Sequence, residues 1–427
     1  MSGCGRRMVS SDPSKSIICE LPTEILHRIL ELMPIKYAAR TSTLSKQWSQ
    51  SWYMLPRLVF DNLFFQYVSI GDSATRIIRK ILMQHTGPIL GFILFLKHTN
   101  YLISNHGIQK LTLDVANDEL YTLPENIFTC VALTHLKLSR CIVKFPNGTQ
   151  FPNLVSLQLE DAAIDRLKQT TLILPMLKTL ELKFCDDVDY VHIVSPKLVN
   201  LSMLSSYTIT FKCFNVNLIF RKIKHLCLDG TSLKNLESVP MPDRFDVSLN
   251  LQSLKICDLK ISVKRIICAL CLLQNSPNLI ELDIDEIVKV DKTVYHTTEL
   301  FDYLSKVEKE VSEALTMIRT VRLGKFKGTS TEMYLIQVIL AHSPKLERMI
   351  IQHKVQKPER CNKILKELIS YYRASLNAEI KYIRPIQLSV TTYWSSEIIL
   401  YFNQYVESAV QIYCRICFIL LYFSSVG

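Results

Sequence analysis

From residue 108 onward the chain repeats one phrase of apolar and free positions, apolar-x-x-apolar-x-apolar, seen most plainly as LTHLKL (133–138), LVSLQL (154–159) and LKTLEL (177–182). The same phrase begins at Ile108, Leu198, Ile223, Leu251, Leu279, Ile318 and Leu346, so successive copies are 25, 21, 23, 21, 25, 28, 28, 39 and 28 residues apart. The last two apolar positions, two apart, share one face of a short strand, while the first enters the core from the preceding turn. One such unit cannot bury its own apolar side; stacked neighbours can, as a parallel sheet lining the inside of an arc with turns or helices outside. A period of about 20 to 29 residues with this phrase is the signature of leucine-rich repeats.

Proline punctuates the array. FPNL (151–154), LPML (174–177), SPKL (195–198), SPNL (276–279) and SPKL (343–346) each stand just before a strand, where proline ends the preceding element and holds the chain extended. The 39-residue interval carries an insertion, residues 288–315, whose charges read as a solvated helix face. Ahead of the array, RLVFD (57–61) and PILGFILFL (88–96) read as strands. The segment between them, GDSATRIIRKILMQH (71–85), reads as a helix with Asp72 or Ser73 as N-cap.

The pattern changes between residues 20 and 52. A helix near Thr23 to Glu31 places Ile25, Leu26, Ile29 and Leu30 on one side, a second follows Pro34 from Ile35 to Arg40, and a third begins near Thr43 with Trp48 and Trp52. The tryptophans suit the packed core of that unit. Three such short helices carry more apolar surface than they can cover by themselves, so a permanent protein partner is expected.

Composition refines this picture. Of 427 residues, 48% are hydrophobic and 21% charged, with no low-complexity run, so folded protein is expected beyond the first fifteen or so residues. The beginning, MSGCGRRMVSSDPSKS, has no apolar stretch after its arginines, unlike a secretory signal. Its thirteen scattered cysteines suit reduced thiols in the cytoplasm or nucleus. The net charge of +11 is spread along the chain, which argues for a solvated basic surface and against nucleic acid.

Catalytic and metal chemistry find little support. The spacing CxxC occurs at Cys268 with Cys271 and at Cys414 with Cys417, but the first pair lies in an apolar helix and the second in an apolar tail, where four sulfurs would not converge on a metal. HExxH, HxxxH, GxSxG, GxGxxG and P-loop spacings are absent. No cofactor and no metal are expected, and no nucleophile can be paired with a base. The apolar run from Ile416 to Phe423 is too short to span a bilayer, so no membrane association is expected; 384–427 is an apolar extension of unknown role.

The residues of the N-terminal helices resemble a known family. Leu21, Pro22, Glu24, Ile25, Leu26, Ile29, Leu30, Leu32, Pro34, Ile35, Ala38, Ala39, Arg40, Leu44, Ser45, Lys46 and Trp48 are similar to the F-box. This is the motif by which substrate receptors dock on the Skp1 subunit of cullin-RING ubiquitin ligases. PIKYAARTSTLSKQW (34–48) followed by LVFD (58–61) resembles the plant branch with leucine-rich repeats. VRLGKFKGTSTEMYLIQVILAHSPKLERMIIQHK (321–354) and RASLNAEIKYI (373–383) resemble the FBD domain of plant F-box/FBD/leucine-rich-repeat proteins, with Leu376 in place of the usual proline and Tyr37 in place of the usual aspartate of the F-box.

The resemblance implies an α/β architecture and a sequence of parts: a flexible start over 1–16, F-box over 17–56, a first solenoid cap over 57–107, leucine-rich repeats over 108–316 and FBD-like repeats over 317–383. It implies a non-catalytic adaptor of an SCF ubiquitin ligase, with Leu21, Pro22, Ile25, Leu26, Ile29 and Leu30 as Skp1-contact candidates and a protein substrate on the repeats. The alternative is a repeat scaffold that acts without the ligase. Strand geometry supplies concave-face candidates independently: Lys110, Thr112 and Asp114; His135 and Lys137; Ser156, Gln158 and Glu160; Thr179, Glu181 and Lys183; Glu281, Asp283 and Asp285; Arg322; and Arg348. Their mixed signs fit a protein partner with spaced charges better than a polyanion.

Overall fold

A computed structural model describes residues 21–68, 72–96, 107–115, 121–123, 125–146, 151–164, 170–186, 191–204, 221–236, 249–261, 263–289, 308–354 and 358–383. The expected flexible start, most of the 288–315 insertion, Cys414, Cys417 and the whole of the 384–427 extension lie outside the described residues.

Helices α1 (Thr23–Glu31), α2 (Ile35–Thr41) and α3 (Lys46–Tyr53) form the N-terminal unit. The extended prolines Pro22 and Pro34 lead into α1 and α2. The third helix begins three residues later than its sequence suggests, because Ser45 takes the capping position and its hydroxyl accepts the Trp48 N–H at 3.3 Å. Leu26 and Leu30 of α1, Ile35 and Ala38 of α2, and Trp48 and Trp52 of α3 are buried together in the core. The Gln47 side-chain amide donates to the Leu21 carbonyl at 2.6 Å, fastening the start of α1 to α3.

No free linker separates this unit from the first strand of the solenoid. Strand β1 (Arg57–Phe60) leaves α3 through buried Leu55, and a short helix α4 (Asn62–Tyr67), capped by Asp61, sets Phe64 edge-on to Phe60 at 5.1 Å. Helix α5 (Asp72–Gln84) contains Asp72 and Ser73 as helical residues, so neither is its cap. Its end returns to α3: the Thr86 N–H donates to the Tyr53 carbonyl at 2.8 Å and His85 Nε2 contacts the Leu55 carbonyl at 2.8 Å.

The repeats build a sheet of thirteen parallel strands. In chain order β1 is followed by β2 (Gly91–Leu96), β3 (Lys110–Val115), β4 (His135–Ser139), β5 (Ser156–Glu160), β6 (Thr179–Lys183), β7 (Asn200–Leu204), β8 (His225–Leu228), β9 (Ser253–Ile256), β10 (Glu281–Ile284), β11 (Thr320–Phe326), β12 (Arg348–His353) and β13 (Glu379–Ile383). Neighbours in sequence are neighbours in space throughout. The register aligns Leu111, Leu136, Leu157, Leu180, Leu201, Leu226, Leu254 and Leu282 across the core face, and two residues on Leu113, Leu138, Leu159, Leu182, Met203, Leu228, Ile256 and Ile284. All ten leading apolar residues, from Ile108 to Leu346, are buried beneath them.

The proline phrases close as tight turns: the N–H of Leu154, Leu177, Leu198, Leu279 and Leu346 donates to the carbonyl three residues back at 3.0 to 3.4 Å. Repeat length decides what covers the outer side. Where the interval is 21 to 23 residues there is room only for short strands, such as Cys141–Val143, Ala163–Ile164, Thr170–Ile173 and Val191–Val194. At 28 residues or more helices fit instead: α6 (Gly230–Leu236), α7 (Val263–Gln274), α8 (Glu308–Leu315), α9 (Ser330–His342) and α10 (Pro358–Ser370). At the ends of β4, β5 and β6 the chain turns through Arg140, Asp161 and Phe184, all at positive φ, whose N–H groups extend the ladder to Glu160, Lys183 and Leu204 carbonyls. That turn drives Cys141, Ala162 and Cys185 into the core.

Candidate functional site

Two surfaces stand out. The first is the outside of the N-terminal helices. Of the six contact candidates, Leu26 and Leu30 are 0% and 1% exposed and lie in the same buried core as Trp48 and Trp52. Pro22 and Ile25 are exposed, Ile25 at 47%, and Leu21 and Ile29 are half-buried. Sequence periodicity did not single out the other exposed apolar residues here, Leu32, Tyr37 and Leu44, of which Leu44 is 65% exposed. Leu44 follows the last turn of α2 and precedes the Ser45 cap, where no core can reach it.

The second surface is the concave wall, where polar side chains stand in rows. One row runs Lys110, His135, Ser156, Thr179, Asn200, His225, Ser253, Glu281, Thr320, Arg348 and Glu379 across β3 to β13. Two residues on, a second runs Thr112, Lys137, Gln158, Glu181, Ser202, Cys227, Lys255, Asp283, Arg322, Ile350 and Lys381. A third holds Asp114, Ser139, Glu160 and Lys183, and Asp285 follows β10 by one residue. Every wall candidate named from the sequence is in one of these rows or at a strand end beside it. Asn200, Ser202, His225, Cys227, Ser253 and Lys255 were missed, although the phrases at Leu198, Ile223 and Leu251 carry the same spacing that would have named them.

Many wall charges are already paired. Lys137 meets Glu160 at 3.3 Å; Glu181 accepts from the Gln158 amide at 3.1 Å and meets Lys183 at 3.3 Å; Arg140 pairs with Asp114. The run Glu281, Asp283 and Asp285, acidic in sequence, is largely matched in space: Lys255 lies 3.7 Å from Asp283 and Lys325 lies 2.8 Å from Asp285. Burial pushes the Asp283 and Asp114 carboxyls above their usual range, against Lys255 and Arg322 for the first and Arg140 and Lys137 for the second. Burial also lowers His135, helped by Lys110. Among the described residues Lys110, Glu281 and Arg348 make no ion pair, which leaves spaced charges of both signs available to a partner.

Beside the wall, Glu286 gathers Lys327 at 2.7 Å, Lys354 at 3.4 Å and Lys325 at 3.7 Å. The Lys327 hydrogen bond, with Lys354 behind it, holds the Glu286 carboxyl below its usual range. A register shift between Leu323 and Phe326 makes this cluster, with Lys325 at positive φ and Gly324 over Asp285. In the sequence these residues fall outside the strand phrases, so no periodicity reveals them.

Cys268 is buried and Cys271 half-buried in α7, and among the described residues no group of histidine, cysteine or carboxylate side chains is arranged to hold a metal. No described helix is long and apolar enough to cross a membrane.

Comparison with known proteins adds names to this geometry. The F-box domain model matches residues 18–60, and the model for the leucine-rich repeats of the FBD-associated F-box protein At5g56370 matches residues 99–219. The F-box/FBD/LRR-repeat protein At1g13570 of Arabidopsis thaliana is 23% identical over 87% of this chain and 99% of its own. The putative F-box/LRR-repeat protein At3g44810 of the same plant is 23% identical over 76% of this chain and 89% of its own. Higher identity, 33%, extends over 34% of this chain and 35% of the Arabidopsis F-box/FBD/LRR-repeat protein At3g52680.

Proposed function

We propose, from the premise that this chain is an F-box protein with leucine-rich repeats of the FBD-associated plant type, that it is the substrate-receptor subunit of an SCF ubiquitin ligase. The F-box helices dock on Skp1, the concave wall holds the protein to be ubiquitinated, and the chemistry is left to the ligase's other subunits. One observation carries the reading: three helices that expose Pro22, Ile25 and Leu44 are joined without a free linker to a wall of spaced charges. A rigid joint of that kind would hold a bound substrate at a fixed distance from the ligase.

The contact set narrows to Pro22, Ile25 and Leu44, with Leu21 and Ile29 at its margin. Apolar anchors of this type cost about 2 to 4 kcal/mol on truncation. The full chain carrying Pro22→Ala, Ile25→Ala and Leu44→Ala together should therefore lose most of its co-purification with Skp1 while melting near the wild-type temperature. Undiminished Skp1 capture by a folded triple variant would overturn the assignment.

A further inference from the structure

Two half-buried thiols meet on the inner wall. Cys227 stands in the second polar row, between Ser202 of β7 and Lys255 of β9. Cys257 follows β9 by one residue, and its N–H donates to the Leu228 carbonyl at 2.8 Å. That bond keeps the chain alongside β8, and the two sulfurs lie 3.6 Å apart.

Their surroundings make them unequal. The hydrogen bond shared with Cys257 comes first in lowering the Cys227 thiol below its usual range; the Ser202 hydroxyl and the charges of Lys255 and Lys183 help, against the opposing effect of burial. Cys257 moves the other way, raised by its hydrogen bond with Cys227, by desolvation and by the Cys227 and Asp285 charges it faces. Elsewhere burial pushes Cys141 up to about 12 and Cys185 up to about 11, where a thiol is inert near neutrality. A nucleophilic thiolate in contact with a protonated neighbour is the arrangement in which one sulfur is oxidised and the other resolves it.

We propose that Cys227 and Cys257 form a reversible oxidation site on the concave wall, in which Cys227 takes oxygen from a peroxide and Cys257 closes a disulfide between adjacent repeats. The Cys227 thiolate attacks one peroxide oxygen, the O–O bond breaks, and the leaving hydroxide takes a proton to become water. The sulfenic acid so formed is attacked by the Cys257 sulfur, whose proton leaves with the hydroxyl as a second water. Two thiols lose two electrons and one hydrogen peroxide is reduced to two waters. A disulfide is about 2.05 Å long, so the sulfurs, 3.6 Å apart, must approach by about 1.5 Å for it to close. The bond would pin β8 to β9 and remove the thiolate charge beside Lys255. This thiol chemistry is independent of what the wall binds.

The test uses the purified full chain, hydrogen peroxide in slight excess, and mass spectrometry of alkylated, unreduced tryptic peptides. Peptides 225–234 and 256–260 should appear joined, two mass units below their sum, and separate on dithiothreitol. Cys227 should oxidise about tenfold faster than Cys268. In Cys257→Ser the dimedone adduct of Cys227 should rise several-fold over wild type, and in Cys227→Ser Cys257 should stay reduced; melting curves establish that both variants are folded. Equal oxidation of Cys227 and Cys268, a disulfide to any other cysteine, or a dimedone adduct on Cys227 as abundant in wild type as in Cys257→Ser would each overturn it.

Discussion

At the scale of single residues, Glu332 in the first turn of α9 shows how a buried charge can organise backbone. It is 2% exposed, and its carboxylate accepts the Thr329 N–H at 2.7 Å, the Thr329 hydroxyl at 2.9 Å and the Lys327 N–H at 3.2 Å. Thr329 returns the bond to the Glu332 N–H, completing a capping box. Replacing Glu332 by Ala strands two N–H groups and should cost about 2 to 3 kcal/mol, seen as a lower urea midpoint with unchanged slope. Gly324 is a different kind of constraint. A Cβ there would stand 2.6 Å from the Asp285 carbonyl oxygen, which is backbone and cannot swing aside. Gly324→Ala should therefore cost about 1 to 3 kcal/mol and raise amide exchange in β10 and β11. The two were unequally legible: Thr329 and Glu332 have the spacing of a cap in the sequence alone, whereas nothing local to Gly324 says that Asp285 lies over it.

At the scale of elements, α1 separates what the sequence joins. Ile25, Leu26, Ile29 and Leu30 are interchangeable by hydropathy, and their spacing predicts one apolar side. Which half turns inward is decided by tertiary packing: Leu26 and Leu30 lie in the buried core together with Trp48 and Trp52 of α3, while Ile25 is exposed. Leu26→Ala should then lower stability by about 2 to 5 kcal/mol, and Ile25→Ala should change it by about 0.5 kcal/mol or less; thermal melts of the two full-length variants check this. The junction of β10, β11 and β12 responds to pH instead. The lysines around Glu286 depress its folded pKa below the ordinary 4.5, so its contribution is complete above 4.5 and is lost as pH falls through the folded value. Glu286→Gln should flatten the acid limb of the curve of denaturation midpoint against pH and leave the neutral limb parallel to wild type.

At the scale of the whole molecule, the solenoid was legible because its period is written in the leucines, and even the change of outer layer follows from interval length. The pairing of charges on the wall was not, because it links residues of different repeats: Asp283 and Asp285 look like an acidic strand until Lys255 and Lys325 are brought beside them. The same nearest-neighbour construction governs stability. An interior strand such as β6 is covered by β5 and β7, and Leu180 is fully buried; the last described strand, β13, pairs only with β12 among the described residues, and its Ile380 is half-buried. In such a stack each repeat is stabilised by its own contacts and by two interfaces, or by one at an end. Leu180→Ala should cost about 2 to 5 kcal/mol and Ile380→Ala about 1 kcal/mol, with amide exchange in the second variant accelerated in β12 and β13 and unchanged in β5 to β7. Exchange that rises equally along all thirteen strands in the Ile380 variant would mean that the wall unfolds as one unit, and the energetic independence of its repeats would have to be abandoned.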